Sequence, residues 1–131
     1  MANVKYSKWL ESLLADLLSG DVKAVLVDLA DYTFSATHEF LTSVPAGARV
    51  ATSANIASKT VTDGVFDGGD VTFNTVSGDP SEAVILYHDT GVEATSRLVA
   101  FIDTATGLPV TPNGGNINVQ WDNGANRILA L

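Results

Sequence analysis

From residue 20 onward the chain is a succession of short apolar or alternating runs cut by turn residues, and this pattern constrains the fold more than any other feature. VKAVLVDL (22–29), ARVATSA (48–54), SKTVTDGVF (58–66), DVTFNTVSG (70–78), EAVILYHD (82–89), RLVAFID (97–103), NINVQWD (116–122) and RILAL (127–131) read as strands, ARVATSA only weakly. Between them lie SGDP (77–80), DTG (89–91), TATG (104–107), PNGG (112–115) and DNGAN (122–126), which is turn chemistry. Strands at intervals of about 8–15 residues without intervening helices indicate a mainly β fold, an antiparallel β-sandwich or barrel-like domain. EAVILYHD and RLVAFID are nearly continuous apolar runs, so both are expected to be central and covered on two sides. In NINVQWD, Ile117, Val119 and Trp121 share one face; in DVTFNTVSG, Val71, Phe73 and Thr75 do. DNG between Trp121 and Ile128 is the strongest hairpin signal, because Asn-Gly accepts the positive φ of a tight turn. The apolar end RILAL is expected to pair into a sheet or an interface, since an exposed apolar strand invites aggregation. ATHEFLTSVP (36–45) reads as a short helical turn capped by Thr37 and stopped by Pro45.

The N-terminal segment follows a different period. Tyr6, Trp9, Leu10, Leu13, Leu14, Leu17 and Leu18 recur at helical spacing over 4–19, with Lys5, Lys8, Glu11, Ser12 and Asp16 off the stripe. Gly20 supplies a left-handed stop. The expected organisation is an N-terminal amphipathic α-helix (1–20) followed by a single β-rich domain (21–131). The stripe has two readings: packing on the protein's own sheet, or burial against a neighbouring subunit. On the second reading its seven residues are interface residues.

Composition narrows the function. The 131 residues are 46% hydrophobic and 17% charged, a globular rather than disordered composition. With no cysteine, disulfides, thiolate metal sites and a cysteine nucleophile are excluded. WLESLLADLL (9–18) is too short and too polar to span a bilayer, and the first residues carry no signal-peptide pattern. The net charge is −8, and from residue 60 to 96 seven carboxylates (Asp63, Asp67, Asp70, Asp79, Glu82, Asp89, Glu93) occur without a Lys or Arg. Such a chain lacks the basic footprint that nucleic-acid binding needs. The acidic run reads either as a solvated surface or as a patch that docks on a basic partner.

Catalytic and metal motifs fail on inspection. DGVFDGGD (63–70) lacks the alternating carboxylates and closing glutamate of a calcium loop. It reads better as a turn, with GVF ending one strand, DGG turning and DVTF beginning the next. THEF (37–40) resembles the start of a zincin helix, but position 42 is Thr42 where a second histidine is required. His38 and His88 are the only histidines, and His88 reads as a strand-end residue. There is no G-x-S-x-G elbow, and SGDPSEA has no phosphate-loop lysine. No carboxylate pair is singled out for glycoside hydrolysis. Trp9 and Trp121 could stack on sugars, although both positions read as core. The expectation is a non-enzymatic chain without cofactor or metal.

Several stretches together, DYTFSATHEFLTSVP (31–45), SKTVTDGVFDGGDVTFNTVSGD (58–79), EAVILYHDTG (82–91) and RLVAFIDTATGLPVTPNGGNINVQWDNGANRILAL (97–131), resemble small structural proteins of tailed bacteriophages. The similarity spans about residues 22–131 and includes no catalytic residue. It implies a virion protein, made in the host cytoplasm and carried in the particle. A small acidic β domain with an apolar terminal element suits decoration or cementing of the phage head surface by bridging major capsid protein subunits. A homotrimer suits local three-fold positions of a shell. The alternatives are a head–tail connector, a tail- or fibre-associated protein, or, in a different class, a carbohydrate-binding β-sandwich module.

Overall fold

The computed structural model describes residues 3–122, 124 and 127–131. It is mainly β, with one N-terminal helix, α1 (Ser7–Leu14), that tightens into a 3-10 turn at Ala15–Leu18. The strands are β1 (Asp21–Val27), β2 (Arg49–Thr52), β3 (Thr60–Thr62), β4 (Val65–Asp67), β5 (Val71–Phe73), β6 (Ala83–Asp89), β7 (Arg97–Ile102), β8 (Ile117–Val119) and β9 (Leu129–Ala130). Among the described residues they form three antiparallel sheets, ordered β2-β1-β6-β7, β3-β4-β9 and β5-β8. No helix among them is long and apolar enough to cross a membrane.

The four-stranded sheet is the centre of the molecule because its two middle strands are apolar on both faces. β1 and β6 pair along their full length, with Ala24 opposite Leu86, Leu26 opposite Val84, and Val25 opposite Ile85. Ala24, Leu26, Val84 and Leu86 turn to one side, where they meet Leu14 and Leu17 of the helical segment, Phe66, Val71, Phe73, Val119 and Trp121. Val25, Val27, Ile85 and Tyr87 turn to the other side and are covered by Tyr32, Leu41, Val44 and Ala48 from the long connection between β1 and β2. One face is thus sheet on sheet with the helix beside it, which is sandwich-like packing. The other is covered by loop and 3-10 turns.

EAVILYHD takes the expected central, doubly covered place as β6. RLVAFID does not: β7 is an edge strand and its residues are half-buried or exposed. Its outer edge is partly paired by residues 39–41, through Leu98 N–H to Glu39 O and Leu41 N–H to Ser96 O, both 2.9 Å. An apolar run without alternation does not say whether cover comes from a sheet on both faces or from a loop along one edge.

The stretch 58–66 is two strands, not one. β3 and β4 pair as a hairpin, Thr62 opposite Val65, around Asp63 (φ +52°) and Gly64 (φ +85°). Two left-handed central residues are the mark of the tight hairpin turn that Asp-Gly favours. The turn therefore falls at Asp63-Gly64, and Asp67-Gly68-Gly69 carries the chain from one small sheet to the other. Gly68 passes so close to Ile56 that an added Cβ would sit 2.4 Å from Cγ2 of that residue. Thr75 is in a left-handed conformation (φ +50°) beyond β5 and is exposed, so it does not share the inward face of Val71 and Phe73.

Ile117, Val119 and Trp121 are buried on one face as expected, and the Trp121 indole N–H donates to Gly69 O at 2.8 Å. The C-terminal run is paired, β9 to β4, with Leu131 N–H donating to Gly64 O. β8 pairs with β5 and β9 with β4, so the DNG segment does not join two strands paired with each other; Asn123, Ala125 and Asn126 lie outside the described residues. Thr37 does not cap the turn after it. Its hydroxyl meets Ser35 Oγ at 2.8 Å, and the 3-10 turn Leu41–Ser43 is preceded by Phe40, which makes no side-chain cap.

Candidate functional surface

The helical segment is pinned to the sheets by its inward side. Leu14 and Leu17 are buried in the main core and Leu10 is half-buried against the β3–β4 hairpin. The approach at Gly64 requires a residue without a side chain: an added Cβ would lie 2.6 Å from Leu10 Cβ. Lys8 Nζ reaches Asp63 across the same hairpin at 3.0 Å and Glu11 at 3.3 Å. These carboxylates, Asp63 first, raise the pKa of the Lys8 ammonium above its ordinary value. At the far end Lys59 Nζ donates to Gly20 O at 2.7 Å, and the His88 Nε2–H donates to Ser19 O at 2.8 Å. Gly20 takes the expected left-handed stop, φ +71°.

The stripe therefore divides. Of its seven residues, Leu10, Leu14 and Leu17 face the protein, while Tyr6 (85% exposed), Trp9 (55%), Leu13 (51%) and Leu18 (46%) face outward. Trp9 is a correction to the sequence reading, which placed it in the core. The helical stripe is wider than the strip of sheet beneath it, so its Trp9 flank overhangs. Helical periodicity shows that a face is apolar but not how much of that face its own domain can cover. The helix also starts one turn later than the periodicity suggests, at Ser7. Tyr6 at the N-cap is extended and offers no side-chain cap.

The acidic run is not one patch. Asp63 pairs with Lys8, Asp67 with Arg127 at 4.0 Å, Asp89 with Lys23 at 2.8 Å, and Glu93 with Arg49. Asp70 accepts the Trp121 N–H and Glu82 the Leu29 N–H. The three carboxylates of DGVFDGGD thus go to three different partners, as a turn and crossing segment would have them. Lys23, followed by the Gly91 N–H, holds the Asp89 carboxyl below its usual range, and Arg49 does the same for Glu93. Arg49 also donates to the carbonyls of Val44 and Leu41, both at 2.9 Å, tying the loop-covered face to its sheet.

Asp28, Asp31 and Asp79 do converge, with one oxygen from each lying within 4.8 Å of the others. The sequence carries no sign of this, because Asp79 comes from a turn some fifty residues beyond the first two. Three oxygens are half of what calcium takes, and Asp28 Oδ1 already accepts the Ala30 N–H. The histidines are engaged separately: His38 Nδ1 with the buried Tyr32 hydroxyl at 2.8 Å, His88 with Ser19. A cavity of about 330 Å³ lies between the 32–38 loop and β7, bordered by Phe34, Phe101, Leu98 and His38. Phe34 is half exposed and tilts onto Phe101, ring centroids 4.8 Å apart. No protein-family model matches the chain, and no curated protein matches it.

Proposed function

We propose that the chain is a non-enzymatic structural protein of a tailed-phage particle, decorating or cementing the head by bridging neighbouring capsid subunits. The observation that carries this reading is the outward apolar face of a helix whose inward side is fixed in the core. A side chain such as Trp9, carried on a helix fixed to the core but itself uncovered, is suited to burial against another subunit. The similarity of residues 22–131 to phage structural proteins supports the particle as the setting. Many copies of a modest interface on a lattice sum by avidity, and a protein that binds only the assembled form stabilises it.

Counting copies per purified particle by quantitative mass spectrometry tests this reading. A lattice-bound protein is expected on the order of hundreds of copies. A count matching a single ring at one vertex assigns the chain to the connector or tail instead, and its absence from particles removes the virion reading. The exposed aromatics Tyr6 and Trp9 are also what a sugar-stacking platform would use. Quenching or protection of Trp fluorescence by a member of a broad glycan panel would favour the carbohydrate-binding alternative.

A further inference from the structure

We propose that the outward face of α1 packs antiparallel on the same face of a second copy of this chain, about a two-fold axis. The inference rests on the reading of that face as an assembly surface, and it names the occupant.

Area is the first argument. Aromatic side chains carry about 150–250 Å² each, so Tyr6 at 85% exposure and Trp9 at 55% uncover roughly 300 Å² between them, and half-exposed Leu13 adds to it. Val4, 77% exposed just before the helix, extends the strip. A standard interface takes about 800 Å² from each partner, its core apolar and its rim polar. The strip is the right size for the core of such an interface.

Charge order supplies the direction. Lys5 stands just before α1 and Lys8 in its first turn, while the acids come later, Glu11 within it and Asp16 in the 3-10 turn that follows. The first turn has no acidic residue and the last no basic one. This is the reverse of what a helix macrodipole favours, with cations at the positive end and carboxylates towards the negative end. A helix alone is weakened by that order, and a parallel neighbour compounds it. An antiparallel copy reverses the effect at both ends: Lys5 of each chain lies beside Asp16 and the carbonyl end of the other. With about 100° per residue through α1 and about 120° through the 3-10 turn after it, Asp16 comes beside Trp9, at the polar edge of the Trp9–Leu13 flank. Its side chain is 84% exposed, with one carboxylate oxygen at ion-pair distance, 3.7 Å, from His88 Nδ1 and the rest open to a second copy. Lys5 has no acidic partner among the described residues, whereas the other basic side chains are each bonded to an acid or a carbonyl. The chain's remaining surface is acidic enough, at net −8, to oppose most other ways of bringing two copies together. Charge order thus selects a two-fold over the three-fold arrangement that shell symmetry suggests.

The test is sedimentation velocity of the purified full chain at micromolar concentration. The wild type is expected to be a dimer. Trp9→Glu and Tyr6→Glu, both at exposed positions, are each expected to give a folded monomer that melts below the wild type only by the stabilisation dimer formation adds. Lys5→Glu and Asp16→Lys are each expected to weaken the dimer about tenfold, and the double reversal to recover it, because opposite charges again face each other. A monomeric wild type, an oligomer that survives both Trp9→Glu and Tyr6→Glu, or a double reversal no tighter than either single change would overturn the proposal. A monomer whose Trp9→Glu variant is lost from particles sinks self-pairing and leaves the particle reading standing. A Trp9-dependent dimer that is absent from particles does the opposite.

Discussion

Gly64 combines two constraints that act at a single Cα. Its φ of +85° is the left-handed conformation that closes the β3–β4 hairpin, and Leu10 occupies the space where a side chain would begin. Gly64→Ala is therefore expected to destabilise by about 2–4 kcal/mol, from left-handed strain plus overpacking, measured by urea denaturation. Gly47→Ala is the control, since a Cβ there meets nothing within 4 Å and φ is not left-handed. That change should stay within about 0.5 kcal/mol of wild type, and equal effects at the two sites would contradict the account of Gly64. The Lys23–Asp89 pair makes a prediction of a different kind. The folded pKa of Asp89 lies below its unfolded value, so its ionised form stabilises the fold above the ordinary carboxylate range. That contribution is lost as pH falls through the folded pKa. Removing the cation with Lys23→Met should move the acid unfolding midpoint, followed by circular dichroism, to higher pH. An unchanged midpoint would show that the Gly91 and Ser96 hydrogen bonds hold Asp89 without Lys23.

For the helix, the useful comparison is between two leucines one residue apart. Leu14 is buried in the main core and Leu13 is half exposed. Leu14→Ala is expected to cost about 2–4 kcal/mol of stability, whereas Leu13→Asp should leave the monomer folded and lower the melting temperature only by what association contributes. If Leu13→Asp unfolds the protein, the outward placement of that flank is wrong. The period of the stripe was legible in the sequence, but its division was not, because the width of the sheet beneath it is set by residues far along the chain such as Phe66 and Trp121. The strands show the same limit. β6 and β8 were legible from an unbroken apolar run and a clean alternation. The edge position of β7 depends on which strand pairs with it, and no local pattern carries that. At Asp63-Gly64 the signal was present, but the glycine pair at 68–69 competed with it. The two were separable only by seeing that Val65 and Phe66 have strand partners on both sides, Thr62 and Val61 in β3, Ala130 and Leu129 in β9. The acidic corner at Asp28, Asp31 and Asp79 had no sequence signal, since proximity there follows from the pairing of β1 with β6.

Across the whole molecule, helix and sheets share one core. Leu14 and Leu17 from the helical segment, Leu26 and Leu86 from the large sheet, Phe66 from β4, Phe73 from β5, and Val119 and Trp121 from the β8 end belong to a single buried cluster. The small sheets are too slight to stand alone: an isolated two-stranded unit is marginal in water, and the third strand of the other sheet, β9, has only 2 residues. Cover comes to them from β1 and β6, and the Trp121 indole joins them by bonding Gly69 in the segment between β4 and β5. A chain held in this way should lose all its layers together. In a Trp9→Phe background the remaining indole, Trp121, reports on the core, while far-ultraviolet circular dichroism reports on helix and strands. The two probes are expected to trace the same urea transition with the same midpoint and slope, as one cooperative unit requires. An earlier circular dichroism change that leaves Trp121 buried would mean that α1 detaches first. In that case its outward face is presented by an element with its own equilibrium, and pairing with a second copy would have to restore the helix as well as bury it.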